Sequence, residues 1–312
     1  LNAIEIKKMT KRFKKEPPVL KSISLTVKEK MCFSLIGPNG AGKSTLIKIL
    51  TTLLKPTSGE AIIFGHKLSE KRAIREIIGL VSESTVFYDQ LSAMENLLFF
   101  AGLYHIPKKI ARHRAEKLLK IVDMWKWRDK PIKEFSTGMR QRINLVRGLM
   151  HAPKLLFLDE PTLALDPQTS MIIRETVKRV KKEGITVFFT THLMKNVEEL
   201  ADEIAVINEG NIIFQGSLWE LKSKFAPGEK EVEILFEDES SAKEGYEILK
   251  KFEDDHLKME NTSVFLSLKN PKLLHDVLSR ISKNSLLIKD VNTYSPSLEE
   301  IFIKLTTKKK SA

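Results

Sequence analysis

Gly37-Pro38-Asn39-Gly40-Ala41-Gly42-Lys43-Ser44-Thr45 stands between an apolar, β-branched run, Met31 to Ile36, and a stretch from Ser44 to about Leu54 with apolar residues at helical spacing. The pattern GxxxxGK[ST] between a strand and a helix is that of a phosphate-cradling loop. Glycines let the backbone turn its N–H groups inward around phosphate oxygens, and the start of a helix adds a favourable dipole. Lys43 is expected to bridge the β- and γ-phosphates of a nucleoside triphosphate, and the Ser44 hydroxyl to ligate Mg²⁺.

Working outward, strand-like segments precede the loop at Ile4 to Met9 and Ser22 to Val27, separated by Pro17, Pro18 and a charged turn. After the loop the chain alternates. Strands are expected at Ala61 to Phe64, Ile77 to Val81, Leu155 to Leu158 and Ile185 to Phe189, and helices at Met94 to His105, Lys108 to Asp123, Gly138 to His151 and Pro167 to Glu183. Such alternation predicts an α/β fold whose sheet is covered on both faces. Leu155-Leu156-Phe157-Leu158-Asp159-Glu160 is an apolar strand ending in adjacent carboxylates, which strand alternation sends in different directions. Asp159 is thereby placed to hold the Mg²⁺ shell and Glu160 to polarise an attacking water.

Between loop and carboxylates stands Phe135-Ser136-Thr137-Gly138-Met139-Arg140-Gln141-Arg142, which resembles the LSGGQ signature of the ABC ATPase family. Ser136 and Gly138 keep positions that in the family meet the γ-phosphate of ATP held by the opposite subunit, whereas Thr137 and Met139 depart from the pattern. Pro161-Thr162-Leu163-Ala164-Leu165-Asp166 is similar to the family's D-loop, with Ala164 in place of the usual glycine. Thr190-Thr191-His192 supplies a histidine that the resemblance assigns to sensing the γ-phosphate. Phe13, after Lys11-Arg12, occupies the position of the family's adenine-stacking aromatic. In Val81-Ser82-Glu83 a carboxylate stands where the family presents a metal-touching glutamine. Glu83 is therefore expected either to bind Mg²⁺ more tightly or to point away. The resemblance covers roughly residues 3 to 225. It implies a P-loop NTPase cassette with a mixed sheet, antiparallel N-terminal strands and a helical subdomain at about 84–150.

The totals agree with a chain of two domains, 1–226 and 227–312, with a boundary at Ala226-Pro227-Gly228 where the charge changes sign. Residues 1 to 228 carry 38 basic and 24 acidic residues, and 229 to 307 carry 11 and 16. The second part reads as strand Val232 to Phe236, helix Ser241 to Phe252, a strand near Leu257, strand Val264 to Leu268, helix Pro271 to Ile281 and strand Leu286 to Val291, a ferredoxin-like βαββαβ order. Leu298, Ile301, Phe302 and Leu305 share one face of a final helix before the basic tail Lys308-Lys309-Lys310. The segment Ser295 to Phe302 resembles the closing part of a small domain on ATP-binding subunits of drug, lipid and sodium exporters. One cysteine, Cys32, leaves no pair for a disulfide and reads as a small buried hydrophobe. No apolar stretch reaches the roughly 18 to 20 residues that cross a bilayer, and the first residues lack the apolar block of a signal peptide.

Three functions fit such a chain: the ATPase subunit of a separate transmembrane permease, a soluble ABC ATPase acting on nucleic acid or ribosomes, and a degenerate cassette that senses ATP. The single uninterrupted cassette and the presence of Glu160 and His192 favour the first, with no nucleic acid expected as partner. The expectation is a head-to-tail dimer on the cytoplasmic face of the membrane, with each ATP between Lys43 of one subunit and Ser136 of the other. The segment Glu83 to Asn96, with Tyr88, Leu91 and Leu97, is the expected grip on the permease.

Overall fold

The computed structural model describes residues 1–14, 16–82, 86–225, 230–250, 257–268, 273–284, 286–294 and 296–307. Two compact units divide the chain, Leu1–Leu218 and Trp219–Ala312. The expected boundary at Ala226 to Gly228 lies outside the described residues, as does the basic tail.

In the first unit the chain runs β1 (Asn2–Lys11), β2 (Leu20–Lys28), β3 (Cys32–Ile36), α1 (Lys43–Leu50), β4 (Ser58–Ile63), β5 (His66–Lys67), α2 (Lys71–Ile77) and β6 (Ile78–Val81). Next come α3 (Ala93–Leu103), α4 (Lys108–Ile121), α5 (Thr137–Leu149), β7 (Leu155–Asp159), α6 (Pro167–Lys182), β8 (Thr186–Thr191), α7 (Met194–Leu200), β9 (Glu203–Asn208) and β10 (Asn211–Gly216). A six-stranded sheet in the order β10-β9-β3-β8-β7-β6 is parallel from β9 to β6, with β10 antiparallel at one edge. All five residues of β3 and all six of β8 are buried, because a parallel sheet is covered on both faces and its strands read as continuous apolar runs. A second sheet, β2-β1-β4-β5, is antiparallel.

Three apolar cores hold these layers together. One joins the antiparallel sheet, α1 and one face of the parallel sheet through Ile4, Leu25, Leu46, Ile63, Phe157 and Phe188. Another lies on the far face, where Leu145, Leu149, Ile173 and Val177 meet Leu156, Leu158 and Phe189. The third is the helical subdomain, in which Met94 and Leu97 of α3 pack with Ala111, Ala115 and Leu119 of α4 and Ile143 and Val146 of α5. Helix α3 starts where it does because Ser92 and Glu95 form a reciprocal capping box. The sequence reading did not foresee β5, α2, α7, β9 and β10.

The second unit follows α8 (Leu218–Phe225) with β11 (Lys230–Phe236), α9 (Glu239–Leu249), β12 (Lys258–Glu260), β13 (Ser263–Leu268), α10 (Leu273–Lys283), β14 (Ile288–Tyr294) and α11 (Leu298–Thr307). Its sheet is antiparallel in the order β12-β13-β11-β14, with a core of Val232, Ile234, Phe236, Ala242, Leu249, Val264, Val277 and Ile281. Leu298 and Ile301 of α11 are fully buried, whereas Phe302 and Leu305 are only partly so.

Candidate nucleotide site

The glycine loop leaves β3 and closes on the first turn of α1. A Cβ on Gly37 would lie 2.4 Å from the Ile207 carbonyl oxygen, so β9 can approach the loop only over a glycine. Gly40 and Gly42 adopt φ of 80° and 109°, a region open to glycine and strained for other residues. Gly42 caps α1 without a side-chain hydrogen bond, so no side-chain oxygen competes for the N–H groups of its first turn. Pro38, Asn39, Ala41 and Thr45 complete the loop; Ala41 is buried, and its N–H donates to the Pro38 carbonyl at 3.2 Å. The Lys43 ammonium is almost fully buried and donates to the carbonyls of Gly37 at 2.7 Å and Pro38 at 3.2 Å.

Strand β7 delivers the two carboxylates to this loop. The Ser44 hydroxyl donates to Asp159 Oδ1 at 3.1 Å, and the Thr190 hydroxyl at the end of β8 donates to the same oxygen at 2.6 Å. Thr190 also accepts from the Glu160 N–H, through its hydroxyl at 3.1 Å and its carbonyl at 3.2 Å. These bonds hold Glu160 in a left-handed backbone, φ 47°, that turns its side chain away from that of Asp159 and toward Lys43. Glu160 Oε1 lies 3.3 Å from Lys43 Nζ and 3.0 Å from His192 Nδ1, while Oε2 is buried and has no hydrogen-bond partner among the described residues. An ionised carboxylate only accepts, so this contact is a hydrogen bond in the form of His192 that carries a proton on Nδ1.

A second group of residues gathers elsewhere on the same unit. Ser136 caps α5, accepting from the Met139 N–H at 3.3 Å, and remains exposed. Gly138 is buried where a Cβ would meet the Thr169 hydroxyl at 2.9 Å and come within 3.5 Å of Asp166 Oδ2. Asp166 caps α6 through the Thr169 N–H at 2.8 Å, and this bond holds its carboxyl below the ordinary aspartate range. The structure thus brings Lys43, Ser44, Asp159, Glu160 and His192 into one constellation and Ser136, Gly138 and Asp166 into another. Phe13 is 38% exposed, with Lys11 Nζ 4.9 Å from its ring centroid.

Glu83 lies outside the described residues. Within the expected permease grip, Tyr88 is half exposed but Leu97 is fully buried in the helical core, which corrects its assignment to a surface. The apolar spacing of α3 serves that core, and the exposed aromatics on or beside α3 include Tyr88, Phe99 and Tyr104. Phe99 stacks edge-on against Tyr88 with centroids 4.7 Å apart. An apolar cavity of about 260 Å³ lies beside them, lined by Phe100, Leu103, Tyr104, Arg147 and His151 and by no residue of the glycine loop. Cys32 is buried, which raises its thiol pKa well above the usual range.

Several residues that organise the site escaped the sequence reading. Thr190 supports both carboxylates, and nothing in the sequence marks it out from Thr186 and Thr191 of the same strand. Asn196 of α7 is buried and donates to the hydroxyls of Thr162 at 2.6 Å and Thr191 at 3.4 Å, tying the segment after Glu160 to the segment before His192.

Comparison with known proteins bears on the whole chain. Residues 20–163 match the family described as ABC transporter, and residues 216–306 match the family described as ATP-binding protein DrrA1-3-like, C-terminal domain. The linearmycin resistance ATP-binding protein LnrL of Bacillus subtilis is 32% identical over 92% of this chain and 93% of its own length. The daunorubicin/doxorubicin resistance ATP-binding protein DrrA of Streptomyces peucetius is 32% identical over 91% of this chain and 86% of its own. Among solved structures, a dimeric ATP-binding cassette in a post-hydrolysis state with ADP and Pi superposes with a TM-score of 0.64 at 28% identity, covering 69% of this chain and 98% of that one.

Proposed function

Because this chain belongs to the ABC transporter ATP-binding family, we propose that it is the ATP-hydrolysing subunit of an exporter whose membrane permease is a separate polypeptide. The observation that carries this reading is the separation of the motif residues into two constellations within one unit. A complete site then needs two chains, head to tail, with ATP between the Lys43 loop of one and Ser136 and Gly138 of the other. Among the described residues no helix is long and apolar enough to cross a membrane, which supports a separate permease. The resistance functions in the names of LnrL and DrrA support an apolar, drug-like or lipid-like cargo and a place on the cytoplasmic face of the membrane.

Within each site, N–H groups of Gly37 and residues 39–45 and the Lys43 ammonium bind the phosphates, and Phe13, with Lys11 over one face, offers its exposed ring to adenine. Ser44 Oγ and Asp159 Oδ1, 3.1 Å apart, are two hard oxygen donors, the type Mg²⁺ takes alongside phosphate and water. When bound, Mg²⁺ neutralises charge on the β- and γ-phosphates. Glu160 orients the attacking water and accepts its proton, Oε2 being the oxygen without a partner among the described residues. His192, fixed against Oε1, keeps the carboxylate aimed. The exposed Tyr88–Phe99 pair, together with Tyr104 and the cavity that Tyr104 lines, is the surface offered to the permease.

Glu160→Gln tests this reading. With ATP and Mg²⁺ the variant elutes from a sizing column as a dimer and hydrolyses ATP at least about a hundredfold more slowly than the parent. Monomeric elution under those conditions contradicts the two-chain site.

A further inference from the structure

Helix α5 begins at Ser136, the residue read above as touching the ATP of the opposite subunit, and one of its faces carries polar side chains that reach back into the parallel sheet. Strand β6 is the edge of that sheet, pairing with β7 alone. An edge strand presents every second carbonyl outward. His151 Nε2 meets the Ile78 carbonyl at 2.8 Å, Arg147 donates to the Leu80 carbonyl at 3.3 Å, and Asn144 donates to the Ser82 carbonyl at 2.9 Å. The helix and the turn that follows it, which carries His151, therefore occupy the edge as a further strand would, with side chains replacing backbone donors.

The N-terminal end of this ladder continues beyond the edge. Asn144 Nδ2 also lies 3.4 Å from Gln141 Oε1, and Gln141 Nε2 donates to the Pro161 carbonyl at 3.0 Å. Pro161 is the residue immediately after Glu160, whose backbone is in a left-handed turn. Asn144 is buried. Two linked amides, less than three turns from Ser136, thus clamp the end of β6 on one side and the peptide that follows Glu160 on the other.

Resting on the two-chain site proposed above, we propose that Gln141 and Asn144 are positioning residues that couple the two ATP sites of the dimer. Ser136 engages one nucleotide; the tie from the same helix to the Pro161 carbonyl sets the turn that aims Glu160 at the other. A shift of α5 on engagement of Ser136 reaches Glu160 through one hydrogen bond rather than through the whole subdomain interface. The sites then fire together, and without the tie each chain's Glu160 is set by its own surroundings alone.

The test is steady-state ATP hydrolysis by the full chain across ATP concentrations. Gln141→Met keeps the length of the side chain and removes the donor to Pro161; Asn144→Leu removes the link to Ser82 and Gln141. For Gln141→Met the Hill coefficient falls from about two to about one, kcat falls about tenfold, and half-saturating ATP and melting temperature stay near the parent's. The double substitution is no slower than the worse single one, because both act on one tie. Gln141→Glu, which keeps the acceptor for Asn144 but loses the donor, behaves as Gln141→Met does. A folded Gln141→Met chain with the parent's kcat and Hill coefficient overturns the proposal, and so does full multiplication of the two single effects. The same substitution in the Glu160→Gln background separates this inference from the reading beneath it. ATP-driven dimerisation survives there if only the tie is lost, whereas failure of Glu160→Gln itself to dimerise brings down the two-chain site.

Discussion

Glu160 and Ala164 both hold left-handed backbone, φ 47° and 56°, in the short segment that joins β7 to α6. At Glu160 the unusual turn has a use, because it sends one carboxylate toward Lys43 while Asp159 faces Ser44. Ala164 is exposed, so Ala164→Gly should stabilise the chain by about 1 kcal/mol, read from urea unfolding. Gly37 shows the opposite constraint. Its Cβ position lies 2.4 Å from the Ile207 carbonyl, and Gly37→Ala should cost about 1–3 kcal/mol in the same experiment and weaken ATP binding. The glycine loop and the carboxylate pair were legible in the sequence because their chemistry is carried by neighbours in the chain. Thr190, 31 residues from Asp159, and Asn196, 34 from Thr162, were not, since a hydrogen bond across strands leaves no local pattern.

Helices and strands show where pattern succeeds and where it misleads. The buried runs of β3, β7 and β8 read as strands because both faces are covered, and α4 and α6 read as helices because each shows one apolar stripe. Helices α2 and α7, of seven residues each, are too short for the helical period to show. In α3 the apolar residues cover more than one face. Leu97 faces the helical core while Phe99 and Leu103 face outward, and the sequence alone did not say which face was which. The Asp166 cap of α6 makes a pH prediction. Its folded-state pKa is lowered, so its stabilising contribution is complete above the ordinary aspartate pKa and is lost as pH falls through the lower, folded value. Thermal melts of Asp166→Ala should lie below the parent's at neutral pH and converge with it in strong acid.

On the scale of the whole molecule, the described residues of the two units form separate apolar cores, three in Leu1–Leu218 and one in Trp219–Ala312. A chain ending at Leu218 should fold and still bind ATP, as circular dichroism and nucleotide titration would show. The same unit holds both constellations, yet the account assigns each ATP to residues from two chains. Mixing two inactive variants tests that assignment most directly. Lys43→Ala removes the phosphate grip and Ser136→Ala the opposing contact, so either variant alone leaves both sites of its dimer damaged. A mixed dimer restores one site, with Lys43 from one chain and Ser136 from the other. ATP hydrolysis by the mixture should exceed the sum of the two variants measured apart. Hydrolysis equal to that sum, with mixed dimers demonstrably present, would contradict the account.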